Sequence, residues 1–321
     1  MTDLSARIVD GKLEGISIER FCVALEWRSY LLRRWIAEQK RKHYIAGIER
    51  ILREPIPNRA LDSEDIFARL QDEYCPPDPY GYDSYHTWCR ASERVKTILA
   101  IPELQIPGIH VLELASGDGM TGKLLYDYGH NVTLCDVEDW RDDHARSLPF
   151  LECDICQTIP LEDESFDLIY SYNAFEHLSD PDFTFHEIKR LSRSGGVVIL
   201  SFGPLYSSPW GLHAYRALNM PYPQFLFSKS FILRKIRQLR IFDLGRETDL
   251  LQPLNEWRFE QYQALWHDNC FEIVEEHLGE DWSHLGLVMR FPEQFSGKNL
   301  RVVDLVTTSI HVVLKKISRK T

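Results

Sequence analysis

Residues 112–122 read LELASGDGMTG, where an apolar run meets a glycine-containing turn and the turn opens a helical segment. In a strand–turn–helix unit of this kind, the N-terminus of the helix presents unpaired N–H groups to a ligand. Gly117 and Gly119 allow the backbone to approach that ligand closely. The feature restricts the chain to α/β folds whose first strand–turn–helix unit binds a ligand.

From residue 109 onwards, apolar strands alternate with helical stretches. The clearest predicted helix is Asp180–Leu191, with Asp180 as N-cap and Pro181 at its first position. Strands are predicted at Ile109–Ala115, Asn131–Asp136, Phe150–Asp154, Phe166–Tyr170 and Val197–Phe202, followed by closing strands at 271–277 and 309–316. Apolar strands separated by helices are typical of a parallel sheet covered on both faces. The predicted fold is a doubly wound, Rossmann-like α/β sheet.

The net charge of −11 argues against a general nucleic-acid binder, which normally carries a basic surplus. Two stretches, 28–53 and 229–246, are nevertheless basic. We interpret them as helix faces packed on the core, with a surface for anionic lipid or a phosphorylated substrate as the alternative. No apolar run approaches the ~20 residues that cross a bilayer, and the first residues do not resemble a signal peptide, so a cytoplasmic location is expected.

The seven cysteines do not predict a disulfide framework, and their odd number agrees with reduced thiols. Cys153 and Cys156 form a CxxC pair. A zinc site of this type needs a second pair at suitable spacing, which the chain lacks. We therefore predict no metal ligand from the sequence.

The glycine loop fits two cofactors. Ending at Gly122, it spells the GxGxxG of a dinucleotide site, whereas from Glu113 it spells ExxxGxG. Asp136, at the end of the second strand, suits the ribose of either cofactor. Glu113 discriminates, because a carboxylate there favours a cofactor with an ammonium and a sulfonium over a pyrophosphate. The sequence thus favours S-adenosylmethionine over NAD and treats Gly122 as a small residue that completes GxGxxG by coincidence.

Three further segments support this interpretation. Asp154 ends the third strand, the polar string Ser171, Asn173, Glu176 and His177 follows the fourth, and EIKRLSRSGGVVILS is a helix, a glycine turn and the fifth strand. Over residues 109–202 the chain resembles the class I S-adenosylmethionine-dependent methyltransferases, in particular the type 11 branch that includes ubiquinone and menaquinone biosynthesis enzymes. Ala115 stands where that family often has glycine, and Ser194 replaces a proline.

The resemblance implies roles for particular residues in holding S-adenosylmethionine. Glu113, Ala115, Gly117 and Gly119 would hold the methionine part, Asp136 the ribose, Asp154 with the backbone of Ile155 the adenine, and Ser171 to Asn173 would line the methionine end. Tyr85 and His86, before the sheet, would close over the cofactor. Two alternatives stay open: Glu113 as a buried carboxylate that caps a helix, and Asp154 as an exposed acid.

The resemblance also divides the chain. Residues 1–75, with one long helix or two over 17–53, are predicted as a helical extension that serves as cap or in oligomerisation, and 76–321 as the methyltransferase domain. The segment 203–255 far exceeds the ~2–6 residues of an ordinary connection and is predicted as a substrate cap. Its aromatic residues form either walls for a substrate or the core of a packed lid: Trp210, Tyr215, Tyr222, Phe225 and Phe227.

A neutral hydroxyl acceptor must lose its proton, for which histidine is suited near neutral pH. His177, His213 and Glu176 are the candidates, with loop-shaping roles as the alternative for both histidines. We predict O-methylation of a sugar-containing or otherwise hydroxylated small biosynthetic intermediate, with no nucleic-acid partner. The alternatives are C-methylation of a lipid or quinone precursor at the membrane surface and an inactive cofactor-binding regulator. Peripheral membrane contact and a homo-oligomer are left open.

Overall fold

The computed structural model describes residues 8–9, 12–13, 32 and 42–317, apart from 58, 79–80, 215–216, 244–245 and 268–269. Most of the predicted helical region 17–53, including its basic residues up to Arg41, lies outside the described residues. Residues 42–53 form helix α1. The short strands Ile8–Val9 and Lys12–Leu13 pair antiparallel.

A seven-stranded sheet forms the centre of the fold. Its strands are β1 (His110–Leu114), β2 (Asn131–Asp136), β3 (Phe150–Glu152), β4 (Phe166–Tyr172), β5 (Ser192–Phe202), β6 (Phe271–Glu280) and β7 (Thr307–Lys316). The spatial order is β6-β7-β5-β4-β1-β2-β3. All neighbouring strands in the stretch β3-β2-β1-β4-β5 pair in parallel, whereas β7 runs antiparallel to both β5 and β6. The predicted doubly wound, Rossmann-like sheet is confirmed.

Several of the longer helices begin at side-chain caps that the sequence supplies. After α1 come α2 (Glu64–Glu73), α3 (Ser84–Leu99), α4 (Met120–Tyr128), α5 (Pro181–Leu191), α6 (Lys229–Leu239) and α7 (Phe259–Trp266). Asp180 accepts the Phe183 N–H at α5, as predicted, and Asp83 caps α3. Short helical turns lie at Pro102–Gln105, Asp143–Ala145, Pro223–Leu226, Gly286–Arg290, Pro292–Phe295 and Val302–Val306, and Ile241–Asp243 pairs with Arg246–Thr248.

Each face of the sheet carries its own apolar core, because successive strand residues point to opposite faces. Leu112 of β1 faces the core that includes α5 and α7. The preceding residue, Val111, faces the core that includes α3 and α4. The helices on both faces leave the carboxyl ends of the parallel strands as the edge at which a ligand can bind.

A third core lies outside the sheet. It unites α1 and α2 with the insertion and with residues 285–306, through side chains such as Ile48, Leu70, Phe231 and Leu305. The N-terminal extension and the insertion, which the sequence analysis treated as separate parts, therefore share one core over their described residues.

The aromatic residues of the insertion belong to this third core. Tyr222, Phe225 and Phe227 are buried, and the Tyr222 hydroxyl donates to the Leu305 carbonyl at 2.9 Å. Trp210 stays partly exposed and packs its ring edge-on against His284, whereas Tyr215 lies outside the described residues. Of the two interpretations left open, the packed lid core is the one that Tyr222, Phe225 and Phe227 support.

The basic stretch 229–246 is anchored on the core rather than presented whole to solvent. Lys235 is buried on α6 and pairs with Glu64, which also pairs with Arg234 at 3.3 Å. Arg240 pairs with Asp249 at 3.0 Å. These contacts support the interpretation of a helix face packed on the core. None of the helices in the described part of the chain combines the length and the apolarity that a bilayer crossing requires.

Tyr222→Phe is expected to lower the free energy of unfolding by about 1–3 kcal/mol, because it leaves the buried Leu305 carbonyl without its donor. Denaturant unfolding followed by circular dichroism measures the change. The matched control is Tyr126→Phe on the half-exposed face of α4, which should stay within about 0.5 kcal/mol of the unmodified protein. Equal effects of the two substitutions would contradict a stabilising role for this bond.

Candidate active site

The loop between β1 and α4 has a left-handed backbone at three residues. The φ angles are 52° at Ala115, 52° at Gly117 and 68° at Gly119. A Cβ added at Gly117 would meet nothing within 4 Å, so a ligand has room beside the backbone there. A Cβ at Gly119 would lie 2.8 Å from Leu134 Cδ1, so this glycine is required by packing beneath the loop. The conformation of Ala115 also explains why the family often places glycine there.

Gly122 has a larger role than the sequence analysis assigned to it. A Cβ at this position would lie 2.5 Å from Leu134 Cδ2 and 2.8 Å from Glu113 Oε2. Glycine at this position therefore lets α4 pack closely on β1 and β2 without displacing these two side chains. The sequence analysis gave Gly122 no role beyond its small size, and this close helix–strand packing is the role that the third glycine of GxGxxG has in dinucleotide sites.

Glu113 is buried between β1 and α4. Its side chain is 3% exposed, and Oε2 accepts the Gly122 N–H at 3.0 Å. Burial raises the pKa of the carboxyl to about 8, against the opposing influence of Tyr170 and Arg94. In this structure Glu113 braces the first turn of α4, which is the alternative that the sequence left open. Its contact with the methionine part of a cofactor stays a prediction.

Asp136 and Asp154 lie at the ends of neighbouring strands, as predicted. Asp136 accepts the Gly117 N–H at 2.8 Å and the Val137 N–H at 2.7 Å, and burial raises its pKa. It therefore ties the glycine loop to the end of β2. Asp154 is exposed and accepts the Cys156 N–H at 2.9 Å, while the neighbouring Ile155 is buried. Their contacts with ribose and adenine stay predictions.

An open cleft of about 440 Å³ lies between α3 and the ends of β4 and β5. This volume is within the ~300–1,000 Å³ of small-molecule sites. Its lining residues are Cys89, Arg90, Glu93, Arg94, Tyr172, Asn173 and Ser201. The Arg94 guanidinium lies 4.4 Å from the centre of the Tyr172 ring, and Arg90 lies 3.9 Å from Asp118 of the glycine loop.

The sequence analysis missed the contribution of α3 to this cleft. The available signal was the spacing of Arg90 and Arg94, because residues four apart share one face of a helix. Of the predicted residues, Asn173 lines the cleft and Ser171 is buried behind it. Tyr85 is 72% exposed at the start of α3 and is not part of the cleft wall. Its predicted closure over the cofactor has no support in this conformation.

The three predicted catalytic residues meet at the carboxyl ends of β4 and β5. Glu176, His177 and His213 each contribute a polar atom to a group whose members lie within 4.8 Å of one another. The histidine rings are 5.0 Å apart, centre to centre, and nearly perpendicular. Glu176 is 2% exposed, and its Oε1 accepts the Gly203 N–H at 3.0 Å. We call these residues the Glu–His–His cluster.

Backbone carbonyls fix which ring nitrogens in the cluster carry protons. His177 Nδ1 donates to the Pro253 carbonyl at 2.8 Å, and His213 Nε2 donates to the Pro204 carbonyl at 3.0 Å. Because a carbonyl only accepts, His177 Nε2 and His213 Nδ1 are the unprotonated nitrogens in the neutral rings. Burial, aided by His177, lowers the pKa of His213 to about 4, and burial raises the pKa of Glu176.

Residues 112–200, from β1 into β5, match the family model described as a methyltransferase domain. These residues are therefore a methyltransferase domain. The match confirms the resemblance drawn from the sequence and, for this domain, the predicted class of enzyme and its cofactor.

Individual relatives are more distant. The chain is 29% identical over 131 residues to a probable 18S rRNA (guanine-N(7))-methyltransferase of Dictyostelium discoideum, a match that spans 36% of this chain and 45% of the relative. A putative S-adenosylmethionine-dependent methyltransferase from Listeria monocytogenes is 13% identical with a TM-score of 0.44, over 71% of this chain and 98% of that one. Magnesium protoporphyrin IX methyltransferase from Synechocystis, with bound SAH, is 15% identical with a TM-score of 0.42, over 79% and 94%.

Glu113→Gln tests the buried carboxyl of β1. In the folded protein the carboxyl stays protonated up to about pH 8, whereas in the unfolded chain it ionises near pH 4.5. The unfolded state therefore binds fewer protons between these values, and Glu113 costs the folded state stability as the pH rises. Without cofactor, the unmodified protein should lose stability relative to the Gln variant between pH 4.5 and 8, by up to about 1.4 kcal/mol per pH unit.

Unfolding free energies of both proteins across this pH range supply the measurement. Glu272→Gln, which removes a carboxyl from the exposed side of β6, is the matched control. A difference between Glu113→Gln and the unmodified protein that does not change with pH would contradict the buried, protonated state.

Proposed function

We propose that the protein transfers the methyl group of S-adenosylmethionine to a hydroxyl group of a small biosynthetic intermediate, sugar-containing or otherwise hydroxylated. The observation that carries this proposal is the position of the Glu–His–His cluster. It lies at the ends of β4 and β5, the two strands that also contribute Tyr172, Asn173 and Ser201 to the cleft. Groups able to take a proton thus lie beside the pocket suited to the methyl donor.

The cleft and the glycine loop together fit the cofactor. Gly117 leaves room beside its backbone, and Arg90 and Arg94 supply positive charge suited to the carboxylate of the methionine part. Asp136 and Asp154 stand at the strand ends where the ribose and adenine are expected. S-adenosylmethionine supplies an activated methyl group, so the protein has mainly to orient the acceptor and exclude water.

Methylation of a hydroxyl group requires a base that takes its proton, and His177 offers one. Its Nδ1–H bond to the Pro253 carbonyl orients the ring and leaves Nε2 as the basic nitrogen. The carboxylate oxygen Oε1 of Glu176 lies 4.0 Å from that Nε2 and favours the protonated ring once the proton has moved. His213 packs edge-on against His177 and limits the rotation of its ring.

Methylation of RNA is the second candidate function, favoured by the similarity to the probable rRNA methyltransferase of Dictyostelium. The net charge of −11 weighs against it, since binding to a phosphate backbone requires a basic surface. C-methylation at a membrane surface is less favoured because α6 uses Lys235 and Arg234 in contacts with Glu64. The intact Glu–His–His cluster weighs against an inactive regulator.

S-adenosylmethionine, or its demethylated product, is expected to raise the melting temperature, whereas NADH is not; a hundredfold excess over Kd adds about 2.7 kcal/mol of stability. Arg94→Gln should weaken cofactor binding about 10- to 100-fold, because a charge-assisted hydrogen bond is lost. Isothermal titration calorimetry measures this change. Arg237→Gln, an exposed arginine on α6, is the control and should leave the affinity unchanged. Stabilisation by NADH alone would contradict the assigned cofactor.

His177→Ala is expected to reduce turnover about 10²- to 10⁴-fold while cofactor binding is retained. His213→Ala removes the ring that restrains His177 and is also expected to reduce turnover, again with cofactor binding retained. The assay follows labelled methyl groups from S-adenosylmethionine into a small-molecule extract and into total RNA, with the methylated atom identified by mass spectrometry. His186→Ala, an exposed histidine on α5, is the control. Methyl transfer to RNA alone would replace the first candidate function by the second, and full turnover in both cluster variants would remove the cluster from the proton transfer.

A further inference from the structure

We propose that the Glu–His–His cluster binds a divalent transition-metal ion, with Zn²⁺ as the preferred ion. The ligand atoms would be His177 Nε2, His213 Nδ1 and a carboxylate oxygen of Glu176. Two neutral imidazoles and one carboxylate form a donor set that zinc uses in catalytic sites, where three protein ligands leave one position open. Among the residues that the structure describes, this is the group of three such side chains close enough to share an ion.

The distances within the cluster are close to those of a formed site. One potential ligand atom from each of the three residues lies within 4.8 Å of the other two, and His177 Nε2 is 4.0 Å from Glu176 Oε1. Zinc bonds of about 2.0–2.1 Å in a tetrahedron place ligand atoms roughly 3.3 Å apart. The three side chains would therefore close on the ion by about an ångström, which small changes in side-chain torsion angles supply.

Both histidines are already oriented in the way that metal ligands are. A ligating histidine usually donates its second ring N–H to a carboxylate or a backbone carbonyl, which fixes the tautomer and directs the other nitrogen at the metal. Pro253 accepts from His177 Nδ1 and Pro204 accepts from His213 Nε2. Two histidine rings held in this way beside one buried carboxylate are an arrangement that a loop-shaping role does not require.

Glu176 supplies a second and independent observation. Its side chain is almost fully buried, and Oε2 has no hydrogen-bond partner among the described residues, while Oε1 accepts the Gly203 N–H. A buried carboxylate oxygen without a partner is costly. A cation held jointly with His177 and His213 would remove that cost.

The other histidine–carboxylate pairs in the described part of the chain do not belong to a group of three such side chains. His277 lies 2.9 Å from Glu275, but both side chains are largely exposed on β6. In the cluster, by contrast, the carboxylate is buried and the His177 side chain is 20% exposed. This limited exposure leaves a route for the ion and a fourth position for an oxygen ligand.

The role of the fourth position rests on the proposed function. The hydroxyl oxygen of the acceptor would bind there, and the ion would lower its pKa so that its proton passes to water. The oxygen then forms a bond to the methyl carbon as the bond from that carbon to the cofactor sulfur breaks. In the metal-loaded protein His177 is a ligand, and the ion replaces it as the group that promotes deprotonation.

The test is a metal titration of the full chain without substrate. Protein stripped with a chelator is titrated with Zn²⁺ against a chromogenic competitor, and in parallel with Co²⁺, whose visible absorption reports its coordination. We expect one ion per chain, with a Kd below about 1 μM and cobalt bands of a four- or five-coordinate site. His177→Ala and Glu176→Gln should each weaken zinc binding at least about 100-fold, since loss of a ligand costs no less than loss of its supporting partner.

His277→Ala is the matched control, because it removes an exposed histidine that also has a glutamate neighbour, and zinc binding should be unchanged. Circular dichroism establishes that each variant is folded. If Glu176→Gln does not fold, the zinc titration of the unmodified protein tests the proposal. The proposal would be overturned if the unmodified protein did not bind one zinc ion per chain at a free zinc concentration 10-fold above about 1 μM, the upper limit expected for Kd. Uptake that persists in folded His177→Ala and His213→Ala would also overturn it.

The two proposals fail separately. Zinc binding without methyl transfer to any hydroxyl would uphold the metal site and contradict the proposed function. Loss of turnover in the cluster variants of a protein that binds no zinc would uphold the proposed function, with His177 as the base, and contradict the metal site.

Discussion

The hydrogen bond from the Gly122 N–H to the buried Glu113 carboxyl holds the first turn of α4 against β1, beside the glycine loop. α4 lies so close to β1 and β2 that a Cβ at Gly122 would meet the side chains of Leu134 and Glu113. This contact directs the N-terminus of α4 at the glycine loop. Asp136 then holds the other side of the loop through the Gly117 N–H, so two buried or nearly buried carboxyls shape a turn that is open to a ligand at Gly117.

The second half of the site depends on the ends of β4 and β5. These neighbouring parallel strands deliver Asn173 and Ser201 to the cleft, and Glu176 joins the two strand ends through the Gly203 N–H. The histidines that follow each strand meet beside this carboxylate. The fold therefore places the open cleft and the Glu–His–His cluster at the ends of the same two strands.

The third core explains how parts that are distant in the sequence can act on one site. Side chains of α1, α2, the insertion and residues 285–306 pack together, and the hydroxyl of Tyr222 bonds to the carbonyl of Leu305. A unit built in this way is held at several points of the chain. Its buried aromatic residues stabilise the unit itself, whereas Trp210 stays partly exposed.

The sequence by itself determined the doubly wound sheet, the glycine loop and the residues at the strand ends, because strand periodicity, helix caps and glycine spacing are local properties. It also singled out Glu176, His177 and His213 as separate candidates. Only the tertiary structure decided that Glu113 braces a helix, that Arg90 and Arg94 line the cleft, and that the extension shares a core with the insertion. These outcomes depend on which residues meet across strands and helices, and on the burial that changes the pKa of Glu113 and His213. The spacing of residues along the chain predicts neither the contacts nor the burial.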